Sequence, residues 1–115
     1  MFYVDANVFI FALMNESEEK MAKPSLSILN KIAEGELAAA TSFLTWDEVL
    51  WVLRKGMDVK TANAEGGKFL KFPNLKFLEV NGAIIARAQD LVERYSLRPR
   101  DAIHAASAIS HGIRE

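Results

Sequence analysis

The chain has 115 residues, half of them hydrophobic, and a formal net charge of −1. This length fits one domain, expected over residues 1–115, with one hydrophobic core. The sequence has no cysteine, which excludes disulfides and thiolate metal sites, and its two histidines disfavour an imidazole-rich zinc site. A metal site would therefore depend on Asp and Glu and would favour Mg²⁺ or Mn²⁺. The charge provides no overall basic field that would indicate nucleic-acid binding.

Membrane and export signals are not found in the sequence. No apolar run approaches the roughly 20 residues that a membrane span needs. No basic segment precedes the apolar start, as it would in a signal peptide. We therefore expect a cytoplasmic protein that does not bind a membrane.

Strands and helices alternate in the predicted secondary structure. The predicted strands are 2–5, 37–41 and 75–80. The predicted helices are 7–14, 17–34, 43–55, 58–70, a helix capped by Asn81 that ends at Tyr95, and 101–110. Pro24 lies inside the second helix and predicts a kink or a late start there. Strands that alternate with helices predict an α/β fold with a parallel sheet.

Asp5 is the first acidic residue whose position requires an explanation. It lies at the carboxyl end of a predicted buried strand, in FYVDANVF at 2–9, and open α/β sheets place ligand crevices at this edge. A buried carboxylate without a partner is costly, and a divalent cation would stabilise it. The alternative is that Asp5 or Asn7 caps the following helix.

Glu48 and Asp101 also differ from the acids on polar helix faces. Glu48 follows the second strand and lies near the edge of an apolar helix stripe, while Asp47 points about 100° away. Asp101 opens the mostly apolar helix DAIHAASAI, so this helix end is expected to face a crevice. A surface or salt-bridge role for Glu48 and helix capping for Asp101 are the alternatives, and spacing alone does not decide between them.

Three stretches carry a resemblance to a known family: FYVDANVF at 2–9, TSFLTWDEVLWVL at 41–53 and SLRPRDAIHAASAI at 96–109. In this order and spacing the chain resembles the PIN-domain ribonucleases, most closely the small VapC-type toxins of toxin–antitoxin pairs. The resemblance implies a three-layer α/β/α fold and Mg²⁺- or Mn²⁺-dependent hydrolysis of RNA. It also implies that Asp5, Glu48 and Asp101 are the catalytic, metal-binding acids, and that the protein forms a homodimer and binds a cognate antitoxin.

Polar residues around these acids are candidates for substrate binding. Asn7 matches a small polar position two residues after the first Asp, and Thr41 or Ser42 matches a hydroxyl position after the second strand. Arg98 and Arg100 flank Asp101 and could bind RNA phosphates, with a role in surface solubility as the alternative. His104 lies one helical turn beyond Asp101, and we expect a structural role for it.

One departure from the family pattern concerns the end of the sequence. Such proteins usually continue past the DAIHAA helix into a strand and a loop with a further acidic residue, whereas this sequence ends at Glu115. We expect a fold without its last strand, in which the first strand has an open edge. Because the further acidic residue is missing, a weak or inactive PIN-like binding protein is one alternative to a nuclease. Another carboxylate–Mg²⁺ phosphohydrolase is the second alternative. The latter usually has an Asp at the position of Asn7.

Overall fold

The computed structural model describes residues 1–14 and 19–113. The strands are Phe2–Tyr3 (β1), Ala39–Ser42 (β2) and Leu75–Leu78 (β3), and the helices are Ala6–Met14 (α1), Glu19–Ala33 (α2), Leu44–Gly56 (α3), Val59–Leu70 (α4), Gly82–Tyr95 (α5) and Pro99–Ser110 (α6). The predicted alternation of strands and helices is confirmed. In the described ranges, no helix is both long and apolar enough to cross a membrane.

The three strands form a parallel sheet in the order β1-β2-β3. Phe2 lies opposite Ala39, which in turn lies opposite Leu75. The Val4 N–H donates to the carbonyl of Ala40 at 2.8 Å, so the chain still follows the sheet as it approaches Asp5. Within the described residues β1 pairs only with β2, and Phe2 is half exposed, as expected for an open edge.

Helices cover the sheet on both sides. The larger hydrophobic cluster joins the sheet to α1, α2, α3 and α4 and includes Val4, Phe9, Ile32, Val49 and Leu53. The smaller cluster lies between α5 and α6. Successive strand residues point to opposite faces, so Val4 packs in the larger cluster while Tyr3 contacts α6. The predicted three-layer α/β/α fold is confirmed.

Two helix starts follow the sequence pattern. Asp58 accepts a hydrogen bond from the Thr61 N–H at 3.0 Å and caps α4, and Asn81 accepts one from the Ile84 N–H at 3.0 Å and caps α5. A short polar side chain satisfies one of the free N–H groups that every helix start leaves open. The predicted caps are therefore confirmed.

Other boundaries differ from the prediction. The helix α6 begins at Pro99 instead of Asp101, because proline already has the backbone angle of a first helical residue. Asp101 therefore lies in the first turn and does not cap the helix. The helix α2 is already formed at Glu19, so a start at Pro24 is wrong, and the predicted start at residue 17 lies outside the described residues.

Candidate active site

The three predicted acids lie around the carboxyl edge of the sheet and the start of α6. Asp5 lies directly between the end of β1 and α1, and its Oδ2 accepts a hydrogen bond from the Asn7 N–H at 3.3 Å. Glu48 lies in the first half of α3, which begins two residues after β2, and Asp101 is the third residue of α6. The fold therefore brings all three to one end of the molecule from three separate elements.

Asp5 and Asp101 line the same cavity. Its volume is about 240 Å³, and its other lining residues are Tyr3, His104, Ala105 and Ala108. Both carboxylates are exposed to solvent. Two carboxylates that face one cavity repel each other unless a cation lies between them, so this pair favours a cation.

Glu48 lines an adjoining cavity. This second cavity has a volume of about 460 Å³ and is also lined by Arg98, Pro99, Arg100 and Asp101. Asp101 lines both cavities, whereas Glu48 lines only this one and Asp5 only the other. Across residues 1–14 and 19–113, no three Asp, Glu or His side chains are grouped closely enough to hold one metal ion together.

The oxygen ligands in this cavity fit a magnesium site in which two carboxylates bind the ion. Mg²⁺ usually keeps several water ligands and is bound through one or two carboxylates, with substrate phosphate completing its shell. Asp5 and Asp101 provide this pair in one cavity. Direct coordination by all three predicted acids is not seen in the described residues, so Glu48 as a metal ligand stays a prediction.

His104 is hydrogen-bonded at both ring nitrogens. Its Nε2 pairs with Oε1 of Glu48, and its Nδ1 pairs with the hydroxyl of Tyr3. The Tyr3 and His104 rings meet edge to face, with their centroids 5.5 Å apart. Burial raises the pKa of the Tyr3 phenol above its usual value, while the nearby hydroxyl of Ser42 acts in the opposite direction.

Tyr3 is not among the site residues that the sequence pattern predicts. One signal for it exists, because Tyr3 lies two residues before Asp5 and residues i and i+2 of a strand share a face. The partners of His104 lie 56 and 101 residues away in sequence, and no local spacing indicates them.

Thr41 lies inside the protein. Its side chain is fully buried, and its Oγ1 donates to the carbonyl of Val4 at 2.9 Å and is hydrogen-bonded to Oγ1 of Thr45 at 2.6 Å. The hydroxyl therefore secures the end of β1, directly before Asp5, and has no surface at which a substrate could reach it. The alternative residue, Ser42, is also fully buried, and no described group pairs with its Oγ.

Asn7, Arg98 and Arg100 are exposed, as residues that bind a substrate need to be. Arg100 donates to Oδ2 of Asp47 at 3.3 Å, and both side chains are about half exposed. Arg98 precedes α6 and makes no ion pair with the described residues. The larger cavity therefore carries two guanidinium groups beside two carboxylates.

Fold and site together define an α/β protein with a carboxylate-lined cavity at the carboxyl edge of a parallel sheet. The family model of the PIN domain matches residues 2–114. The chain belongs to the PIN domain family. No curated protein gives a significant match to the sequence.

Several solved structures share the fold. A toxin–antitoxin complex from Klebsiella pneumoniae is 22% identical, with a TM-score of 0.65 over 99% of this chain and 82% of that one. VapC20 of Mycobacterium tuberculosis, described as a toxin that cleaves the sarcin–ricin loop, is 19% identical, with a TM-score of 0.75 over 98% and 85%. VapBC2 of Rickettsia felis, bound to a DNA fragment from its promoter, is 18% identical, with a TM-score of 0.69 over 98% and 84%.

Proposed function

We propose that this chain is a metal-dependent endoribonuclease and the toxin of a toxin–antitoxin pair. The observation that carries the proposal is the cavity that Asp5 and Asp101 line together, next to a cavity with Glu48 and two arginines. Membership of the PIN domain family supports the nuclease part. The similar structures are toxins or toxin–antitoxin complexes, which supports the biological role.

Each site residue has a separate task in this proposal. Asp5 and Asp101 would hold Mg²⁺ or Mn²⁺, with Glu48 completing the acidic set from the adjoining cavity. The bound ion would polarise the scissile phosphate and lower the pKa of a bound water. Arg98 and Arg100 would bind RNA phosphates from the cavity that they line, because guanidinium groups donate two hydrogen bonds in parallel to a phosphate.

Asn7 would act at the edge of the metal cavity. Its backbone N–H already binds Oδ2 of Asp5, and its exposed side-chain amide can orient a water molecule or a substrate oxygen. Thr41 has no part in substrate binding in this proposal, because its hydroxyl is buried and bonded to Val4.

Partner binding follows from two apolar surfaces. A groove of about 200 Å³ between α1, α2 and α4 is lined by five apolar side chains, with Glu65 and Lys68 at its polar positions. We propose this groove for an apolar segment of a cognate antitoxin. A second groove of about 170 Å³ lies between α5 and α6, and its apolar side chains, which include Ile85 and Ile103, would suit a homodimer interface.

Metal binding and RNA cleavage test the proposal. Asp5→Asn and Asp101→Asn should each raise the Kd for Mn²⁺ by tenfold or more and abolish cleavage that EDTA inhibits, since a lost ligand typically costs at least as much as a lost supporting residue. Asp90→Asn is the matched control, because Asp90 is an exposed acid of α5 paired with Arg94. Titration calorimetry and a fluorescent single-stranded RNA substrate provide the two measurements.

One observation favours a second candidate function. Because no three acids of the described residues form a direct metal cluster, a catalytically inactive PIN-like binding protein is the alternative. A folded wild-type protein that neither binds Mn²⁺ nor cleaves RNA would support this alternative. Hydrolysis of small phosphate esters without RNA cleavage would instead indicate a phosphohydrolase.

A further inference from the structure

Three side chains from three different elements form a continuous hydrogen-bonded row beside the metal cavity. Tyr3 comes from β1, His104 from α6 and Glu48 from α3. The side chains of His104 and Glu48 are only 13% and 21% exposed. The two hydrogen bonds of this row restrict the side-chain torsions of all three residues.

The direction of each hydrogen bond follows from the donors present. A carboxylate can only accept, so the bond to Glu48 requires a proton on Nε2 of His104. In a neutral imidazole the other nitrogen, Nδ1, then accepts, and the Tyr3 hydroxyl is the donor to it.

The row leaves one oxygen of Glu48 available. Oε1 is taken by His104, while Oε2 makes no hydrogen bond with the described residues, and Glu48 lines the cavity that it shares with Asp101. A glutamate on its own samples several rotamers, and a hydrogen bond from a largely buried ring restricts it to one. Supporting hydrogen bonds of this type orient the carboxylates of metal sites.

We propose that His104 is a positioning residue that directs Oε2 of Glu48 toward the metal and substrate, and that Tyr3 holds the imidazole ring in place through its hydrogen bond to Nδ1. The proposal rests on the nuclease function proposed above. It differs from a purely structural role for His104, because it couples a ring on α6 to metal affinity through a carboxylate on α3.

Variants of the full chain separate these roles. His104→Leu removes the donor, while His104→Gln keeps an N–H near the position of Nε2. We expect His104→Leu to raise the Kd for Mn²⁺ about tenfold and to lower kcat more than it raises KM. His104→Gln should restore most of the Mn²⁺ affinity and most of kcat. His111→Gln is the matched control, because His111 follows α6 and its ring bonds a local backbone carbonyl, that of Ser107, and not a residue of the site.

Nitrogen-15 NMR of the histidine rings tests the row in the unmutated protein, so the answer does not depend on whether His104→Leu folds. With only two histidines, His111→Gln assigns the spectrum. At one fixed near-neutral pH, His104 should show the Nε2–H tautomer, and Mg²⁺ should shift its ring signals but not those of His111. Tyr3→Phe should shift the Nδ1 signal of His104, because it removes the hydrogen bond at that nitrogen.

Two results would overturn the proposal while leaving the nuclease function intact. One is an Nδ1–H tautomer at His104 in a protein that binds Mg²⁺ and cleaves RNA. The other is a folded His104→Leu variant with wild-type Mn²⁺ affinity and kcat. If the wild-type protein binds no metal and cleaves no RNA, it is the proposed function itself that fails.

Discussion

Replacing Thr41 by valine tests how the buried end of β1 is held. Valine keeps the shape of threonine, so the change leaves no large cavity, but it removes the hydroxyl that donates to the Val4 carbonyl at 2.9 Å. A buried acceptor left without its donor costs about 1–3 kcal/mol. For a chain of 115 residues, average unfolding entropies convert this into a fall in Tm of about 4–12 °C.

Thermal unfolding followed by circular dichroism measures this loss, with urea unfolding as a second determination. Ser27→Ala is the control, because Ser27 is an exposed residue of α2 and exposed substitutions usually change stability by less than about 0.5 kcal/mol. Thr45→Val should cost less than Thr41→Val, since it leaves the bond from Thr41 to Val4 in place. Equal Tm values for Thr41→Val and Ser27→Ala would refute the reasoning.

Two further predictions concern stability. Asn81→Ala removes the side chain that caps α5 and should destabilise the protein by about 1 kcal/mol in urea unfolding, whereas an unchanged midpoint would show that the cap contributes nothing. Burial raises the pKa of the Tyr3 phenol above its usual value of 10.0, so the folded state disfavours the phenolate. The free energy of unfolding therefore falls as the pH rises above 10.0 and the unfolded chain loses this proton more readily than the folded one. Tyr3→Phe should therefore lose less stability than the wild type between neutral and strongly alkaline pH, and parallel pH profiles would contradict this.

Local interactions are the part of the fold that the sequence predicts well. The caps of Asp58 and Asn81 involve N–H groups three residues further along the chain, so a short window of sequence contains both partners. The alternation of strands and helices likewise follows from apolar spacing within each element. The parallel sheet then follows from connectivity, because every predicted connection contains a helix.

Boundaries were harder to predict where two local preferences compete. Alanine has low strand propensity, and the second strand is Ala39–Ser42 where 37–41 was predicted, with all four of its residues buried. The start of α6 is set by Pro99, and this places Asp101 in the first turn, not at the cap. The strand starts two residues later and ends one residue later than predicted, and the helix starts two residues earlier, which changes the role of Asp101.

The pairing of His104 with Glu48 and Tyr3 lies beyond local reasoning. Helical spacing shows that His104 shares a face with Asp101, but not which residue of α3 that face meets. The register between α3 and α6 depends on how both helices pack against the sheet. Only the folded chain therefore shows that a ring on one helix reaches a carboxylate on another.

If the chain is the nuclease proposed above, the division of charge between the two cavities reconciles its net charge of −1 with an RNA substrate. The cavity of Asp5 and Asp101 has no lysine or arginine among its described lining residues, so it favours a cation. The neighbouring cavity carries Arg98 and Arg100 and favours phosphate. Because Asp101 lines both, a cation held at the first cavity would lie beside a phosphate bound in the second. Local charges of this kind, acting over a few ångströms, can outweigh the small net charge of the whole surface.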